Sequence, residues 1–388
     1  MNILEEIQNC PVEWKELGEV CEVKAGKNIN KTFIQNNLGN FPVINSGKEP
    51  LGYINIFNIQ NDPIGITSRG AGVGYVSWNE GKYFRGNLNY SATVQNDDIL
   101  LPRFLYFYLK KSSKEIENLC TFDGIPALNK SALDGLSIPI PPLEIQEKIV
   151  QILDKMTEYV TELTSELTSE LTSRKKQYSF YRDKLLSFEH EVYQVEWKRL
   201  NEFLKKGKGT KITASQMKLL HKEGAPIRIF AGGKTYADMN YGDIPDKDIH
   251  TEEAIVVKSR GIIDFEYCTE PFSFKNEFWS YSSDNENINL RYIYHYLVHN
   301  KEHFQNIANN MQMPQISSND TEKFKIPVPS LEIQSRIVQV LDNFDTVCND
   351  FNIGLPKEIE LRQKQYEYFR DKLLTFIAEG VYTESRVE

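Results

Sequence analysis

Closely spaced cysteines are missing from this chain of 388 residues. Its five cysteines are scattered and form no C-x-x-C pair, at Cys10, Cys21, Cys120, Cys268 and Cys348. A zinc ribbon or a disulfide framework needs paired cysteines at short or regular spacing. We therefore expect five ordinary reduced cysteines.

Long apolar runs and a basic leader are also missing. No apolar run approaches the ~20 residues that a membrane span needs. The first ten residues, MNILEEIQNC, carry acidic charge where a secretory signal carries basic charge. Hydrophobic residues at 40% and charged residues at 26% are ordinary globular values. We expect a cytoplasmic protein without membrane contact.

The chain has no excess of positive charge, since its net charge is −9. The segments 11–140 and 191–328 are nearly neutral, with 13 basic against 13 acidic and 18 against 19 side chains. The segments 141–190 and 329–388 hold most of the deficit, with 7 against 9 and 7 against 11. Neutral modules with local basic patches, joined by acidic helices, suit a protein whose modules touch DNA while its helices touch protein.

Enzymatic motifs are absent or fail on inspection. GAGVG from Gly70 precedes the strand-like YVSW rather than a helix, and GGKT from Gly232 lacks the first glycine of a P-loop. His295, His299 and His303 have metal-compatible spacing on a helix, but the corresponding residues of the first repeat are not histidines. There is no H-E-x-x-H, no nucleophile elbow and no N-P-P or D-P-P tetrapeptide. We expect no catalysis, no cofactor and no metal on this chain.

What the sequence does contain is an internal repeat. PLEIQEKIVQILD from Pro142 returns 188 residues later as SLEIQSRIVQVLD from Ser330, and RKKQYSFYRDKLLSF from Arg174 returns as RQKQYEYFRDKLLTF from Arg362. The offset persists upstream in the helix-like segments RFLYFYLKK and RYIYHYLVHN, and both copies open with VEWK. The chain is therefore two copies of one unit, a globular module followed by a long helix.

The repeated tail predicts a long helix, because its apolar residues follow three-and-four spacing. Two such helices in one chain most simply bury each other as an antiparallel coiled coil. The residues expected to pack between helices or against partner subunits are Leu143, Ile145, Ile149, Leu153, Leu163, Leu167, Leu171, Tyr178, Leu331, Ile333, Ile337, Leu341 and Tyr366.

The tetrapeptide ELTS occurs three times, from Glu162 to Ser173. Each unit would lengthen a helix by about 6 Å, comparable to a base pair or two of duplex. The repeat is therefore interpreted as a ruler, and equally as a solvated helical stretch with leucine on one side. The second copy has Gly354 and Pro356 instead, which predict a kink or break.

Two short basic features occur in both modules. Gly47-Lys48 corresponds to Gly233-Lys234, and Ser68-Arg69-Gly70 corresponds to Ser259-Arg260-Gly261. A basic residue on a tight turn can reach a phosphate or a groove edge, although a solvated turn needed only for folding explains the pattern equally well. The segment KKGKGTK, from Lys205 to Lys211, adds a dense basic run. The candidate DNA-binding residues are Lys48, Ser68, Arg69, Lys205, Lys206, Lys208, Lys211, Lys234, Ser259 and Arg260.

The predicted fold class is α+β, with two mixed α/β modules related by duplication, which two long antiparallel coiled-coil helices join and separate. The predicted boundaries are 1–140 for the first module, 141–190 for the helical spacer with ELTS, 191–328 for the second module and 329–388 for the second helical region.

This order of modules and PLEIQ-x-x-IV-x-x-LD helices resembles the specificity subunit of Type I restriction-modification systems, and ELTS resembles the spacer repeat of one subfamily. The resemblance covers essentially the whole chain. It implies that each module is a target recognition domain that reads one half of a split, asymmetric site on double-stranded DNA. It implies that the helices set the gap and dock two modification subunits, which carry S-adenosylmethionine and methylate adenine. Restriction subunits that use ATP and Mg would join that core.

Two readings of a different class compete with this one. A methyltransferase fused to its own recognition module would need a cofactor-binding sheet and an adenine-pocket motif, and both are missing. A coiled-coil scaffold with two protein-binding heads that do not bind DNA would share the helices. Only DNA binding would separate this scaffold from a specificity subunit.

Overall fold

The computed structural model describes residues 3–122, 124–188, 195–308, 314–350 and 352–376. The chain divides into two compact units. Unit 1 consists of Met1–Glu166 together with Ile359–Glu388, and unit 2 consists of Leu167–Glu358. Each unit therefore combines one module with helical segments from both copies of the repeat, so the units cut across the four consecutive segments predicted from the sequence.

Module 1 consists of short elements. Its helices are α1 Ile3–Asn9, α2 Leu17–Val20, α3 Lys31–Asn36, α4 Pro102–Lys111, α5 Ser113–Asn118 and α6 Lys130–Asp134. Its strands are β1 Glu13–Glu16, β2 Cys21–Glu22, β3 Leu38–Ile44, β4 Tyr53–Ile54, β5 Ile59–Gln60, β6 Ile64–Thr67, β7 Val76–Trp78, β8 Lys82–Arg85, β9 Asn89–Ser91, β10 Thr93–Val94, β11 Cys120–Thr121, β12 Ala127–Leu128 and β13 Ser137–Ile140.

Module 2 follows the same plan. Its helices are α8 Ala214–Leu220, α9 Leu290–His299, α10 Lys301–Ala308 and α11 Ser318–Glu322, with short 3-10 turns at Leu200–Glu202 and Asp246–Asp248. Its strands are β14 Glu196–Arg199, β15 Lys205–Lys208, β16 Ile227–Phe230, β17 Tyr236–Met239, β18 Ala254–Lys258, β19 Asp264–Cys268, β20 Phe272–Phe274, β21 Trp279–Ser282 and β22 Lys325–Val328.

The two modules share their strand topology. In module 1, β3 pairs antiparallel with β4 and parallel with β8, and β6 pairs antiparallel with β7 and β9. In module 2, β16 pairs antiparallel with β17 and parallel with β20, and β18 pairs antiparallel with β19 and β21. The repeat seen in the sequence is therefore also a repeat of sheet topology, even where the sequences differ.

Three long helices carry the repeated tails. They are α7 Leu143–Ser187, which is unbroken over 45 residues, α12 Leu331–Asn349 and α13 Leu355–Leu373. The predicted break is confirmed between α12 and α13, and Pro356 lies in the first turn of α13, where its missing N–H costs nothing. A side chain at Gly354 would meet the carbonyl oxygens of Thr346 and Asp350 at 2.6 Å, so glycine is required there.

In unit 1, α7 and α13 run in opposite directions. Leu373 and Leu374, at the end of α13, belong to the same buried cluster as Ile145 and Ile149 near the start of α7. Further from the module, the Tyr366 hydroxyl lies 2.9 Å from the Thr157 hydroxyl. The tail of the second repeat therefore completes the core that contains the first module.

Unit 2 has the complementary arrangement. Leu186, at the end of α7, shares a buried cluster with Ile337 and Leu341 of α12, and the Tyr178 ring lies 6.1 Å from the Phe344 ring. The two helices are again antiparallel. Packing of the long helices against each other is therefore confirmed, with helices of opposite repeats as partners in each unit.

The predicted packing residues are buried to different degrees. Ile145, Ile149, Leu153, Ile337, Leu341 and Tyr366 are buried. Leu143, Leu163, Leu167, Leu171, Tyr178 and Ile333 are half-buried, whereas Leu331 is 40% exposed. The leucines of the ELTS repeat therefore lie on one partly covered side of α7 while their Glu and Ser neighbours face solvent.

A fully buried glutamine joins each module to its helix. In unit 1, the Gln146 amide donates to the carbonyl oxygens of Ile99 and Pro141, both at 2.8 Å, and its oxygen accepts from the Leu101 N–H at 2.9 Å. In unit 2, Gln334 makes the three equivalent hydrogen bonds, to Asn287, Pro329 and Asn289. Each glutamine fixes where its module meets its helix.

An ion pair reinforces the same junction. The Arg103 guanidinium contacts Asp154 of α7 at 2.7 Å and lies 4.6 Å from the Trp78 ring, so it is both paired and stacked. In unit 2 the Arg291 guanidinium contacts Asp342 of α12 at 3.0 Å and lies 4.6 Å from the Tyr267 ring.

Within the described residues, no helix is long and apolar enough to cross a membrane.

Candidate functional site

Three loops of module 1 meet at one place, which we call loop cluster 1. They are the Gly47-Lys48 turn, the Ser68-Arg69-Gly70 loop and the segment 126–128. The Gly70 N–H donates to the Pro126 carbonyl at 2.9 Å, and the Leu128 N–H donates to the Ser68 carbonyl at 2.8 Å. The Lys48 ammonium lies 5.6 Å from the ring of Tyr75, which follows the Ser68 loop.

The equivalent three loops meet in module 2 and form loop cluster 2. The Gly261 N–H donates to the Pro314 carbonyl at 2.8 Å, and the Ile316 N–H donates to the Ser259 carbonyl at 3.0 Å. The Lys258 ammonium, 2% exposed, donates to the Gly233 carbonyl at 2.8 Å and thereby ties the glycine-lysine turn to this loop. Both modules therefore bring together the two basic features that the sequence repeats.

The serine and the arginine of each loop differ in burial. Ser68 and Ser259 are buried, and the Ser259 hydroxyl donates to the Glu277 carbonyl at 2.8 Å, so these serines support the loop. Arg69 and Arg260 are exposed, as are Lys48 and Lys234. The glycine after each arginine has positive φ, +99° at Gly70 and +80° at Gly261, which a residue with a side chain rarely adopts. Each cluster thus presents cations on a rigid backbone.

The basic run of module 2 is divided by its pairing. Lys205 and Lys206 lie on β15 and pair with the carboxylates of Asp284 and Glu322. The Lys206 ammonium, at 2.5 Å, is the main cause of the lowered pKa of Glu322. Lys208 and Lys211, further along the run, are exposed and form no ion pair among the described residues. These two are therefore better placed than Lys205 and Lys206 to bind an anion.

The sequence reasoning missed the first-copy counterpart of this run, Lys24 to Lys27. In both copies a backbone N–H at the end of the run donates to a carbonyl of the hairpin sheet, Lys27 to Arg85 at 2.9 Å and Thr210 to Phe274 at 2.8 Å. A Cβ at Gly26 or Gly209 would lie 2.3 or 2.2 Å from a backbone oxygen, so only glycine fits. Gly26 and Gly209 are the residues that the two copies share here, and a single shared glycine is too weak a signal to reveal the match from sequence.

A second feature that sequence reasoning missed is an ion pair on the hairpin of module 2. The Arg228 Nε and Nη2 atoms donate to the two carboxylate oxygens of Asp238, at 2.8 and 3.2 Å. The guanidinium lies 4.2 Å from the ring centroid of Tyr236. The pair borders a cavity of about 370 Å³, also lined by Cys268, whose pKa burial raises to about 12, and by Glu270. The sequence signal for this ion pair is one charged residue in each of two apolar strand segments, Arg228 in IRIF and Asp238 in YADM.

The long helices expose the same aromatic pair in each unit. Phe180 and Tyr181 of α7 lie edge to face at 5.5 Å and are 61% and 44% exposed. Tyr368 and Phe369 of α13 lie edge to face at 5.4 Å and are 61% and 46% exposed. Exposed aromatic pairs at equivalent positions of a duplicated fold suit a partner that binds twice.

The three histidines do not form a metal site. His295 hydrogen-bonds to Asp342 at 2.7 Å, the His299 ring lies 3.4 Å from Asp183, and His303 packs against the Phe324 ring at 5.3 Å. No group of three or more potential metal ligands occurs within the described part of the chain. The glycine-rich segment from Gly70 forms a turn that leads into β7, not into a helix.

Comparison with known proteins identifies relatives over nearly the whole length. Residues 11–173 and 194–361 each match the Type I restriction modification DNA specificity domain. The chain is 32% identical over 407 residues to the Type I restriction enzyme EcoR124I/EcoR124II specificity subunit of Escherichia coli, covering 97% of both chains. It is 30% identical to a putative Type I specificity subunit of Haemophilus influenzae, covering 95% of this chain and 97% of the relative.

Solved structures share the fold. The S subunit of a Type I system from M. genitalium matches with a TM-score of 0.57 at 19% identity, covering 95% of this chain and 98% of the other. A chain from a structural study of assembly and conformational transition of the Type I system matches with a TM-score of 0.65 at 15% identity, covering 94% and 98%. At these identities the likeness concerns the fold alone.

Proposed function

This chain belongs to the family of DNA specificity subunits of Type I restriction-modification systems, non-catalytic components of their complexes, and we propose that each of its modules reads one half of a split, asymmetric DNA site. The duplication of the loop clusters is the observation that carries this proposal. In each module equivalent backbone hydrogen bonds join the Ser-Arg-Gly loop to the segment at 126–128 or 314–316, and the Gly-Lys turn lies beside that loop through a lysine contact, although the surrounding sequences differ.

The exposed cations of the loop clusters supply phosphate contacts, and neighbouring side chains read base edges. Lys48 and Arg69 act in module 1, and Lys234 and Arg260 act in module 2. Because the two modules differ in sequence outside the shared turns, their half-sites differ. Ser68 and Ser259 are buried, so they support the loops from the interior of the module and do not contact DNA. Lys208 and Lys211 add phosphate contacts beside loop cluster 2.

We further propose that the chain docks two modification subunits, one on each aromatic pair of the long helices. The two pairs have the same contact geometry and the same exposure, which supports two copies of a single partner rather than two different proteins. S-adenosylmethionine and adenine methylation then belong to those subunits, and ATP and Mg to restriction subunits that join them. The adenine to be methylated is flipped into the partner, not into this chain.

We also propose that ELTS is a spacer of the tetrapeptide-repeat subfamily. The three units lie in the middle of an unbroken helix, and their leucines are only half-buried. Adding or removing one unit changes the helix length by about 6 Å without replacing a fully buried side chain. The unread gap between the half-sites therefore changes by about one or two base pairs for each unit.

The proposal is tested by co-expressing this chain with its modification subunit and mapping methylated adenines across a genome. A split motif with a fixed unread gap is expected. A continuous motif would mean that one module alone reads DNA. A stable complex without methylation would favour a scaffold with two protein-binding heads.

The same assay tests the spacer. Deletion of Glu170–Ser173 should shorten the gap and leave both half-sites unchanged. A deletion of four residues keeps the leucine stripe nearly in phase, whereas deleting Ser173 alone rotates it by about 100° and serves as the control. An unchanged gap after the four-residue deletion would refute the spacer.

Docking is tested by replacing Phe180 and Tyr181 together with Ala. The complex should retain one modification subunit instead of two, as measured by native mass spectrometry, because the pair on α13 is untouched. Tyr159→Ala, at another exposed aromatic residue of α7, is the matched control. Two retained subunits in the double variant would contradict docking at this pair.

A further inference from the structure

The hairpins that carry the glycine-lysine turns have one covered and one uncovered face. In module 2, Ala237 and Met239 of β17 pack into a buried cluster with Met217 of α8. Because side chains alternate along a strand, Tyr236 and Asp238 lie on the other face. Arg228, the cross-strand partner of Asp238, joins them there. This face begins two residues after Lys234, at the turn in loop cluster 2.

Asp238 holds Arg228 in a fixed orientation. It accepts from Nε and Nη2, and the guanidinium is stacked near the Tyr236 ring. The Asp238 side chain is only 9% exposed, and the backbone N–H of Asp238 donates to the His221 ring at 3.0 Å. The carboxylate is therefore itself held in place. The Arg228 side chain remains 49% exposed. The arginine is therefore rigid and yet accessible.

The donors that remain on Arg228 form a fork. A guanidinium has five N–H groups, and the bidentate pairing with Asp238 uses one on Nε and one on Nη2. The two on Nη1 and the second on Nη2 lie along the outer edge. Two parallel donors on one edge match the O6 and N7 acceptors that guanine presents in the major groove.

The surrounding charges distinguish a base edge from a phosphate. Asp238 and Glu270 both border the cavity next to Arg228, and two carboxylates would repel a phosphate. A G·C pair offers acceptors on guanine and an N4 donor on cytosine, so it suits a site that contains both a cation and carboxylates.

We propose that Arg228, held by Asp238, is a specificity-determining residue that reads guanine in the half-site of module 2. This rests on the function proposed above. Lys234 lies in the turn that leads into β17, so one hairpin carries both the phosphate contact and the arginine.

Module 1 presents different chemistry at the corresponding place. Tyr53 begins β4 as Tyr236 begins β17, and both tyrosines are about half exposed. Two residues later module 1 has the exposed Asn55 in place of Asp238. Next to Asn55 lies Gly39, in the bulge of β3, and no arginine crosses from that strand. The fork is therefore specific to module 2, and Arg228 should affect a guanine preference in the half-site of module 2 only.

The experiment is a methylation map of the co-expressed complex, containing the wild-type chain, Arg228→Lys or Asp238→Asn. The wild-type motif should contain a guanine whose preference is lost in Arg228→Lys, since lysine keeps the charge and lacks the fork. Asp238→Asn should weaken the same preference. The other half-site should stay unchanged in both variants. Arg336→Lys, in an exposed pair with Glu332 on α12, is the matched control and should change nothing.

A second measurement uses the wild-type complex and needs no variant to fold. Replacing that guanine by 7-deazaguanine removes the N7 acceptor, one of the two that the fork uses, and should weaken binding about 2- to 12-fold. No loss at any guanine of the half-site that module 2 reads would overturn the inference, as would an unchanged motif in a folded Arg228→Lys complex. The absence of a split motif in the wild type would instead overturn the proposed function.

Discussion

Replacing Gln146 with Met should destabilise unit 1 through the junction between module and helix. Methionine has nearly the same length and volume as glutamine, so the change leaves no sizeable cavity. What is lost is hydrogen bonding, because the fully buried Gln146 satisfies the Leu101 N–H and the carbonyls of Ile99 and Pro141. The Gln146 side chain has no exposed surface, so water cannot readily replace it at the Leu101 N–H and the Pro141 carbonyl, whereas Ile99 is 42% exposed and its carbonyl is easier to hydrate.

The magnitude follows from those three backbone groups. Each buried polar group left without a partner costs about 1–3 kcal/mol, so the Leu101 N–H and the Pro141 carbonyl together should lower the free energy of unfolding by about 2–6 kcal/mol, and the more accessible Ile99 carbonyl adds less. In a unit of this size each kcal/mol lowers the melting temperature by about 2–4 °C. The transition that belongs to unit 1 should therefore move down by about 4–24 °C.

Calorimetry combined with amide hydrogen exchange measures this effect in each unit separately. Faster exchange is expected at Leu101 and along α4, and unit 2 should keep its wild-type protection. Gln151→Met, at an exposed position of the same helix, is the control. Gln334→Met should speed amide exchange in unit 2 and leave the protection of unit 1 unchanged. The reasoning is refuted if Gln146→Met melts like Gln151→Met, or if both units lose protection equally.

Three further predictions concern other contacts. Burial lowers the pKa of His295 below its ordinary 6.5, against the opposing effect of its hydrogen bond to Asp342. The unfolded chain therefore takes up the proton first, and unit 2 should lose stability as the pH falls below about 6.5. In His295→Phe, which copies Phe107 of module 1, the free energy of unfolding measured with denaturant should change less between pH 7.5 and 5.5 than in the wild type, and an equal change would count against this prediction. Leu374→Ala should cost unit 1 about 2–5 kcal/mol by emptying a fully buried position, while the exposed Leu361→Ala costs little, as measured by urea unfolding. Gly209→Ala should cost module 2 about 1–3 kcal/mol because its Cβ would lie 2.2 Å from the Phe274 oxygen, whereas Gly232→Ala, with 3.9 Å of clearance, should melt like the wild type.

Much of the fold could be predicted from the repeat and the helical spacing. The two modules, the long helices, the break at Gly354 and the packing of the helices all follow from patterns that local chemistry imposes. The sequence could not predict that module 1 packs against the end of α13 and module 2 against the end of α7. Similar repeats specify which surfaces pack but not which copies meet.

The site was predictable only in outline. Repetition singled out Lys48, Arg69, Lys234 and Arg260 as candidates, but it could not distinguish an exposed arginine from the buried serine before it. The partners of Lys205 and Lys206 come from residues about 80 and 116 positions away, and sequence spacing carries no information at that range. Arg228 and Asp238 were missed because they become neighbours only when β16 and β17 pair.

The arrival of α13 in unit 1 sets an order for biosynthesis. The module at the N terminus leaves the ribosome early, but its core stays open until Leu373 and Leu374 have been made, roughly two hundred residues later. At a translation rate of about 5–20 residues per second, the delay is on the order of 10–40 s. Unit 2 has all its segments before then. A chain that terminates prematurely near Glu358 therefore lacks Leu373 and Leu374 of the first module's core and has every segment of unit 2, so the earliest part of the protein is the last to be completed.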